Sequence, residues 1–427
     1  MEESAELLTC EDTKLVVKVP ENATSGALTI EANKMKIVTS DWLFTVIPDP
    51  EMTEISPARV IGNAEVTITG KNFGTVKEDV QLYCTIDGED VSFTITSCTE
   101  EEIKAVVPET TVFGEFDLKV RIQGKAAKNT LKITLLEKPT VTAVKSDNVL
   151  SESFAFAGDK VTIQGTGFGT DANAVAVKFG NLDAASIESC KNSEIVAVVP
   201  DGFTGGTVTV TKDGLFSTST DELKILEDNT DISNYVLKNY KEPFTPDEFK
   251  AGQGGNENSW AVPASWTVNG AAQNMFNKQN GQYCSVPVGG LNTDAQVLTM
   301  QAGWNNDAVE AAKTIKNGKM YQNIVLPRGS YRLEVTYGQV IVKGGHPYVA
   351  ICKNKAELPN YEDLSEADGD VFWLFEDHGA NPLATKSLPF ELSETTDVCL
   401  GFTASMPQNS CFKVKELKLV YISDGVQ

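Results

Sequence analysis

The chain of 427 residues is longer than one ordinary core can organise, so roughly two to four domains are expected. Its 36 Lys and Arg stand against 59 Asp and Glu, a net charge of -23, which argues against nucleic acid and sulfated or other anionic polymers as partners. No stretch reaches the roughly eighteen apolar residues of a membrane span, and Met1-Glu2-Glu3-Ser4 lacks the basic start and apolar core of a secretory signal.

In chain order, the first feature is a pattern that occurs three times: a cysteine, nine residues, then a proline closing an apolar run. The copies run from Cys10 to Pro20, Cys98 to Pro108 and Cys190 to Pro200, a spacing of roughly ninety residues that fits one small β-domain per copy. A single cysteine per copy cannot pair within its copy, so Cys10, Cys98 and Cys190 are expected to be small buried core residues. The first copy lies close to Met1, whereas the other two follow some fifty residues of their own domain, so the chain is expected to start inside a repeat. A strand ends this part at Trp42 to Val46, and Pro48 and Pro50 mark a junction.

The second repeat carries Val66-Thr67-Ile68-Thr69-Gly70-Lys71-Asn72-Phe73-Gly74 and the third Val161-Thr162-Ile163-Gln164-Gly165-Thr166-Gly167-Phe168-Gly169. Alternation puts Val66 and Ile68, or Val161 and Ile163, on one buried face, while the glycines permit the turn that follows and the phenylalanines close the core. A Thr-Ile-x-Gly-x-x-Phe-Gly segment followed by a strand ending in Val-Pro resembles the IPT/TIG immunoglobulin-like domain. The resemblance implies β-sandwiches at 49–137 and 138–227, preceded at 1–48 by the C-terminal part of a truncated copy. Such sandwiches serve many functions, and in bacterial surface proteins they are mostly spacers, so function must be argued from another part of the chain.

A polar stretch, Glu227-Asp228-Asn229-Thr230-Asp231, reads as a linker to a different unit at 228–427. This unit holds both histidines, Trp260, Trp266, Trp304 and Trp373, with 16 Lys and Arg against 23 Asp and Glu. Short strands are predicted at Val297 to Met300, Met320 to Leu326, Tyr331 to Val342 and Pro347 to Cys352, then at Val371 to Phe375, Leu388 to Leu392, Val398 to Phe402 and Phe412 to Tyr421. An antiparallel jelly-roll sandwich fits this pattern. The run Lys319-Met320-Tyr321-Gln322 through Leu326-Pro327-Arg328-Gly329-Ser330-Tyr331 resembles a segment of galactose-binding-like, jelly-roll carbohydrate-binding modules. Val398-Cys399-Leu400-Gly401-Phe402 and the closing strand fit the same family. The fold class expected for the whole chain is all-β: tandem immunoglobulin-like sandwiches, then a jelly roll.

If consecutive strands are antiparallel, one end of the jelly roll gathers Gly303 to Asp307, Gly344-Gly345-His346, Glu376 to Asn381 and Ser405 to Asn409. The other end gathers Pro327 to Gly329, the long Lys353 to Asp370 segment and Glu394. The first end mixes flat aromatics with hydrogen-bonding side chains, which suits a sugar's C–H face and hydroxyl rim. The candidate glycan-binding residues are Trp304, Asn305, Asp307, His346, Tyr348, Trp373, Asp377 and His378, with Tyr361 a further candidate. Trp266, beside Val262 and Val268, is expected in the core, and Trp373 is expected to be the outward member of its strand.

Other chemistries lack a motif. His346 and His378 stand far apart with Cys352 the nearest thiol, which is no zinc pattern. Glu362, Asp363, Glu366, Asp368 and Asp370 offer oxygen ligands for a structural calcium ion but lack the EF-hand register, so a solvated acidic loop is the simpler reading and no cofactor is expected. No Gly-x-Ser-x-Gly elbow appears. A disulfide between Cys399 and Cys411, which flank a loop between strands, stays open.

The order of domains resembles the surface glycan-binding lipoproteins of outer-membrane polysaccharide-utilisation systems. That resemblance implies a non-enzymatic protein on the outward face of the cell outer membrane, anchored by an N-terminal lipid upstream of Met1. It would capture a polysaccharide for a neighbouring glycan transporter and that transporter's lipoprotein. Net acidity favours a neutral glycan, with β-fructan such as levan the specific expectation. The alternatives are a protein-binding adhesin or assembly subunit, and a carbohydrate-active enzyme with IPT/TIG accessory domains.

Overall fold

The computed structural model describes residues 4–247, 259–276, 278–279, 282–283, 287–303, 313–379 and 385–423. Two compact units divide it, Met1–Lys138 and Pro139–Gln427.

The repeated Cys-to-Pro segment is a hairpin built the same way three times. Cys10 faces Leu15, Cys98 faces Ile103 and Cys190 faces Ile195, each with a bulge just before the cysteine. Residues 1–47 add a second hairpin, Gly26–Ala32 with Met35–Phe44, whose bulge matches that of Gly206–Lys212 with Leu215–Leu223. The cysteines are not the buried core residues expected: Cys10 is exposed, and Cys98 and Cys190 are half-buried. The Cys98 thiol lies 3.2 Å from the Gly74 carbonyl and the Cys190 thiol 3.6 Å from that of Gly169, so each donates weakly to the Phe-Gly turn of its domain.

In the first unit, Glu51–Ser56, Glu65–Lys71, Glu102–Val106 and Thr94–Cys98 form one sheet of a sandwich. Val66, Ile68 and Phe73 point inward onto Leu82, Leu118 and Ile133 of the facing sheet. Gly70 is obligatory there, because a Cβ would overlap the Glu51 carbonyl oxygen and the Phe73 ring; Gly165 meets Thr140 and Phe168 in the same way.

The second unit contains the third repeat and the C-terminal domain. Eight main strands build the latter: β1 (Val297–Gln301), β2 (Ile315–Leu326), β3 (Gly329–Ile341), β4 (His346–Lys353), β5 (Val371–Leu374), β6 (Lys386–Leu392), β7 (Thr396–Met406) and β8 (Cys411–Ile422). All eight overlap the predicted strands. One sheet has the order β1-β8-β3-β6, extended beyond β1 by Gly290–Asn292 and Trp260–Ala261. The other has Thr267–Val268 followed by β2-β7-β4-β5. All these pairings are antiparallel, and the interleaved order is that of a jelly roll. Leu400, Phe402 and Ala404 of β7 and Val349 and Ile351 of β4 meet Leu333, Val335 and Phe412 of the facing sheet. Trp266 is buried there as expected, stacked on Phe402 and donating its indole N–H to the Asn239 carbonyl at 2.9 Å.

The polar stretch after Leu226 is not a free linker. Beyond the reach of β1, the second half of β8 is paired instead by residues 230–242, through Tyr421 N–H to Thr230, Ile232 N–H to Leu419 and Glu242 N–H to Lys415. That segment covers what would otherwise be an open strand edge. Leu150 and Phe154 of the third repeat join Leu226, Ile232 and Leu237 in the C-terminal core. Phe154 packs edge-on to Tyr235 at 5.5 Å, and Phe156 lies 5.6 Å from Tyr421. The third repeat and the C-terminal domain therefore share one apolar cluster.

Candidate functional site

Strand alternation gives the β2-β7-β4-β5 sheet an inner face in the core and an outer face bearing Cys352, Cys399, Tyr321, His346 and Tyr348. Its rim gathers the loops expected at one end. Asn409 N–H donates to Gly303, Lys343 N–H to the Ser410 hydroxyl and His378 N–H to Val340. Gly345, with φ +97, lies so close to the Ser405 carbonyl that a Cβ would overlap it. A glycine there allows the turn to deliver His346 onto β4 directly opposite Ser405.

The Lys353 to Asp370 segment behaves differently from expectation. Instead of staying at the far end it turns back across the outer face. Asn323 donates to the Ala356 carbonyl at 2.8 Å and Thr403 to the Pro359 carbonyl at 3.0 Å. Leu358 is fully buried on Tyr321, Ala350, Cys352 and Cys399, a burial worth about 1.5–3 kcal/mol. The chain then reaches the first end, where the Tyr361 ring stacks on His346 at 4.5 Å and 7°.

Three nearly parallel rings result, because His346 and Tyr348 are two residues apart on one face of β4, with centroids 6.5 Å apart and planes within 5°. The aromatic surface continues onto β5, where Phe372 meets Tyr348 edge-on at 5.8 Å and Leu374, opposite Tyr348 in the ladder, is 41% exposed. Polar groups border the rings. Asn317 N–H donates to the Ser405 hydroxyl at 2.9 Å, the Ser405 hydroxyl to the Asn317 side-chain oxygen, and the Asn317 amide to Glu362 at 3.1 Å. The Glu362 carboxyl is held below the usual carboxylate range by its own backbone N–H and by Asn317. It is an ionised acceptor beside an apolar ring surface, an arrangement that can cover a sugar's C–H face and accept from its hydroxyls.

Of the residues predicted for the site, His346 and Tyr348 are at its centre and Tyr361 joins them. Trp304, Asn305 and Asp307 lie outside the described residues. Asp377 is exposed and accepts from the Gly379 N–H at 3.1 Å, while His378 is half-buried with its Nε2 3.8 Å from the Glu376 carboxylate, on the loop that crosses to Val340. Both sit at the predicted end, and the structure records no contact between them and the ring cluster. Asn317, Glu362 and Ser405 were missed. Asn317 and Ser405 face each other across β2 and β7, a neighbourhood that only strand register reveals.

Trp373 is a correction. It and Phe375 face inward, with Trp373 half-buried against Tyr337 (5.9 Å, 19°) and Phe375 (5.3 Å), while Phe372 and Leu374 face out. The larger ring takes the core side because it fills the space beside Tyr337; the Lys386 ammonium lies over it, 5.1 Å from the ring centroid. The Cys399–Cys411 disulfide does not form: Cys399 faces Cys352 on the outer face of one sheet, whereas Cys411 belongs to the other. Burial pushes the Cys399 thiol up to about 12 and raises that of Cys352 as well. The acidic run is tied to other side chains, Glu362 to Asn317 and both Asp368 and Asp370 to Lys355 at 3.7 and 2.7 Å. Among the described residues, no group of three or more His, Cys, Asp or Glu is placed to hold a metal ion.

Comparison with known proteins separates the two complete repeats from each other and from the C-terminal domain. Residues 50–135 and 139–225 each match the IPT/TIG domain, and residues 238–401 match a "Domain of unknown function (DUF5013)". No curated protein sequence matches the chain. Solved structures with similarity include SGBP-B from a complex xyloglucan utilization locus in Bacteroides uniformis, at 14% identity and TM-score 0.20 over 88% of this chain and 100% of that one. Another is surface glycan-binding protein PbSGBP-B from Prevotella bryantii, at 12% and 0.25 over 88% and 99%. A third is the mixed-linkage glucan utilization locus SGBP-B from Bacteroides ovatus, solved with a mixed-linkage heptasaccharide, at 14% and 0.19 over 96% and 87%. At these values the likenesses assign no ligand to this chain.

Proposed function

We propose that this chain is a non-catalytic binding protein for a neutral glycan. The contact surface is the His346, Tyr348 and Tyr361 ring cluster with its polar border of Asn317, Glu362 and Ser405. The observation that carries the reading is the pairing of a parallel ring stack with a fixed, ionised acceptor at one rim of the sandwich. Held ionised by its own backbone N–H and by Asn317, Glu362 accepts hydrogen bonds and does not donate a proton to a leaving group. The net charge of -23 supports a neutral polymer. Within that class β-fructan is the sequence-based expectation, and glucans and mannans are its competitors. The IPT/TIG sandwiches act as carrier, on the outward side of an outer membrane, beside a glycan transporter.

Affinity electrophoresis through gels containing levan, inulin, mixed-linkage glucan, xyloglucan, mannan or polygalacturonate tests this. At least one neutral polymer is expected to retard the chain, polygalacturonate is not, and Tyr361→Ala is expected to abolish the retardation. Free migration in every gel, or release of reducing ends from the retarding polymer, overturns the proposal.

A further inference from the structure

Two of the three ring-bearing positions belong to a strand, but Tyr361 and the Glu362 acceptor belong to the segment between β4 and β5. That segment has the character of an Ω-loop: its ends are close, its Leu358 side chain is buried on the sheet beneath it, and it contains two short 3-10 turns, Tyr361–Asp363 and Glu366–Asp368. The strands it joins are already paired at its base, where Ile351 faces Val371. Just above this base, one residue from each arm of the loop closes it. Lys355 Nζ donates to Asp370 Oδ2 at 2.7 Å, and the Ser365 N–H donates to the same oxygen at 3.2 Å. The Asp370 side chain is 0% exposed, Lys355 only 28%, and Asp370 Oδ1 has no hydrogen-bond partner.

A buried carboxylate with one strong partner is costly to maintain unless that partner stays in place. The pair therefore holds the two arms together below a tip that Ala356, Leu358 and Pro359 seat on the sheet. From Lys355 the chain runs through buried Leu358 and Pro359 to Tyr361; from Asp370 it runs back through Ser365 to Glu362. We infer that the Lys355–Asp370 ion pair is the clasp of this loop and that both are positioning residues for the ring cluster: they touch no ligand but fix Tyr361 on His346 and Glu362 on Asn317. This inference rests on the glycan-binding reading for its effect on affinity, and on the fold alone for its effect on loop order.

The test compares the full chain with its Asp370→Asn and Lys355→Gln variants, and with Lys355→Arg, which keeps the charge. Two quantities are read: amide hydrogen exchange of residues 356–364 against that of β7, and the dissociation constant for the neutral polymer that retards the wild-type chain most. If loosening leaves Tyr361 in place a tenth of the time, the dissociation constant rises about tenfold. The expected result is faster exchange at 356–364 and that loss of affinity in both neutralised variants, with β7 still protected and Lys355→Arg close to wild type. Unchanged exchange overturns the clasp, and faster exchange with unchanged affinity overturns the positioning role. Loss of protection in β7 in both neutralised variants also overturns it, since the pair would then support the sheet and not the loop. Should the wild-type chain bind none of the polymers, the glycan-binding reading fails, and the exchange at 356–364 alone decides whether the pair is the clasp.

Discussion

The IPT/TIG repeats and the C-terminal jelly roll solve the same packing problem, two sheets closing over alternating apolar side chains, yet they use their aromatic rings in opposite ways. In the repeats Phe73 and Phe168 are fully buried, each locked by a glycine that leaves room for the ring, and the Cys98 and Cys190 thiols brace the same turns. In the jelly roll, rings fill the core too, but a long connection folds back over a sheet face and carries Tyr361 out to a rim where His346 and Tyr348 stand. The jelly roll is richer in aromatics, but the difference in their use lies in the path of a loop. Sandwich faces crossed by such a loop become shaped surfaces, and faces joined by tight turns stay scaffolding.

Mutation of the two cores should break the molecule along the line between its units. Phe402→Ala is expected to cost about 3–5 kcal/mol and to lower only the melting transition of the second unit, while Phe73→Ala should do the same to the first. Phe154→Ala sharpens this, because the residue belongs to a repeat but packs in the C-terminal core. It should destabilise the jelly roll by about 3 kcal/mol in calorimetry, and independent melting of an intact jelly roll would refute the shared cluster.

Alkaline pH should separate the two units next. Burial raises Cys352, Cys399, Tyr331 and Tyr337 in the second unit, whereas Cys84 and Cys98 are the groups so raised in the first. In an unfolded chain such groups ionise from about pH 8.5 to 10. Above that range the unfolded state binds fewer protons than the folded one, so the stability is fully present below about pH 8.5 and is lost as pH rises toward the folded-state values. Each group contributes up to about 1.4 kcal/mol per pH unit. Calorimetry between pH 8 and 11 should show the second unit's transition falling more steeply, and parallel shifts would contradict it.

A smaller contrast concerns thiols. Cys10 is exposed and should react within minutes with an alkylating reagent at pH 8, while Cys352, Cys399 and Cys411 should resist until the second unit unfolds. Peptide mapping of the modified sites reads this directly. Smallest of all, Glu362→Gln removes one charged acceptor but keeps a hydrogen-bonding side chain, so glycan affinity should fall only about three- to tenfold, measured by titration calorimetry.

Period-two alternation made all eight main jelly-roll strands legible, and from them the end of the sandwich where the rim loops meet. The repeats were legible from the Gly-x-x-Phe-Gly turn. Trp373 was not, because alternation states that Trp373 and Phe372 face apart but not which faces in; that depends on Tyr337, a strand in the other sheet. The Ω-loop was misplaced for a related reason. Its return path is decided by Leu358 seeking the patch formed by Ala350, Cys352 and Cys399, a surface assembled from three strands that no local pattern in 353–370 encodes. That the stretch from Glu227 to Asp231 is fastened to a strand edge depends on the same kind of information, since its pairing partner is the half of β8 that β1 does not reach.

The central claim is that glycan binding belongs to the ring cluster and not to the repeats. Titration calorimetry with the neutral polymer that retards the chain most tests it, comparing the wild-type chain, His346→Ala/Tyr361→Ala, and Phe216→Ala, which removes a ring 63% exposed on the third repeat. Loss of measurable heat in the double variant alone, with its melting transition kept, is the predicted result. Undiminished binding by the folded double variant, or loss on Phe216→Ala, would contradict it.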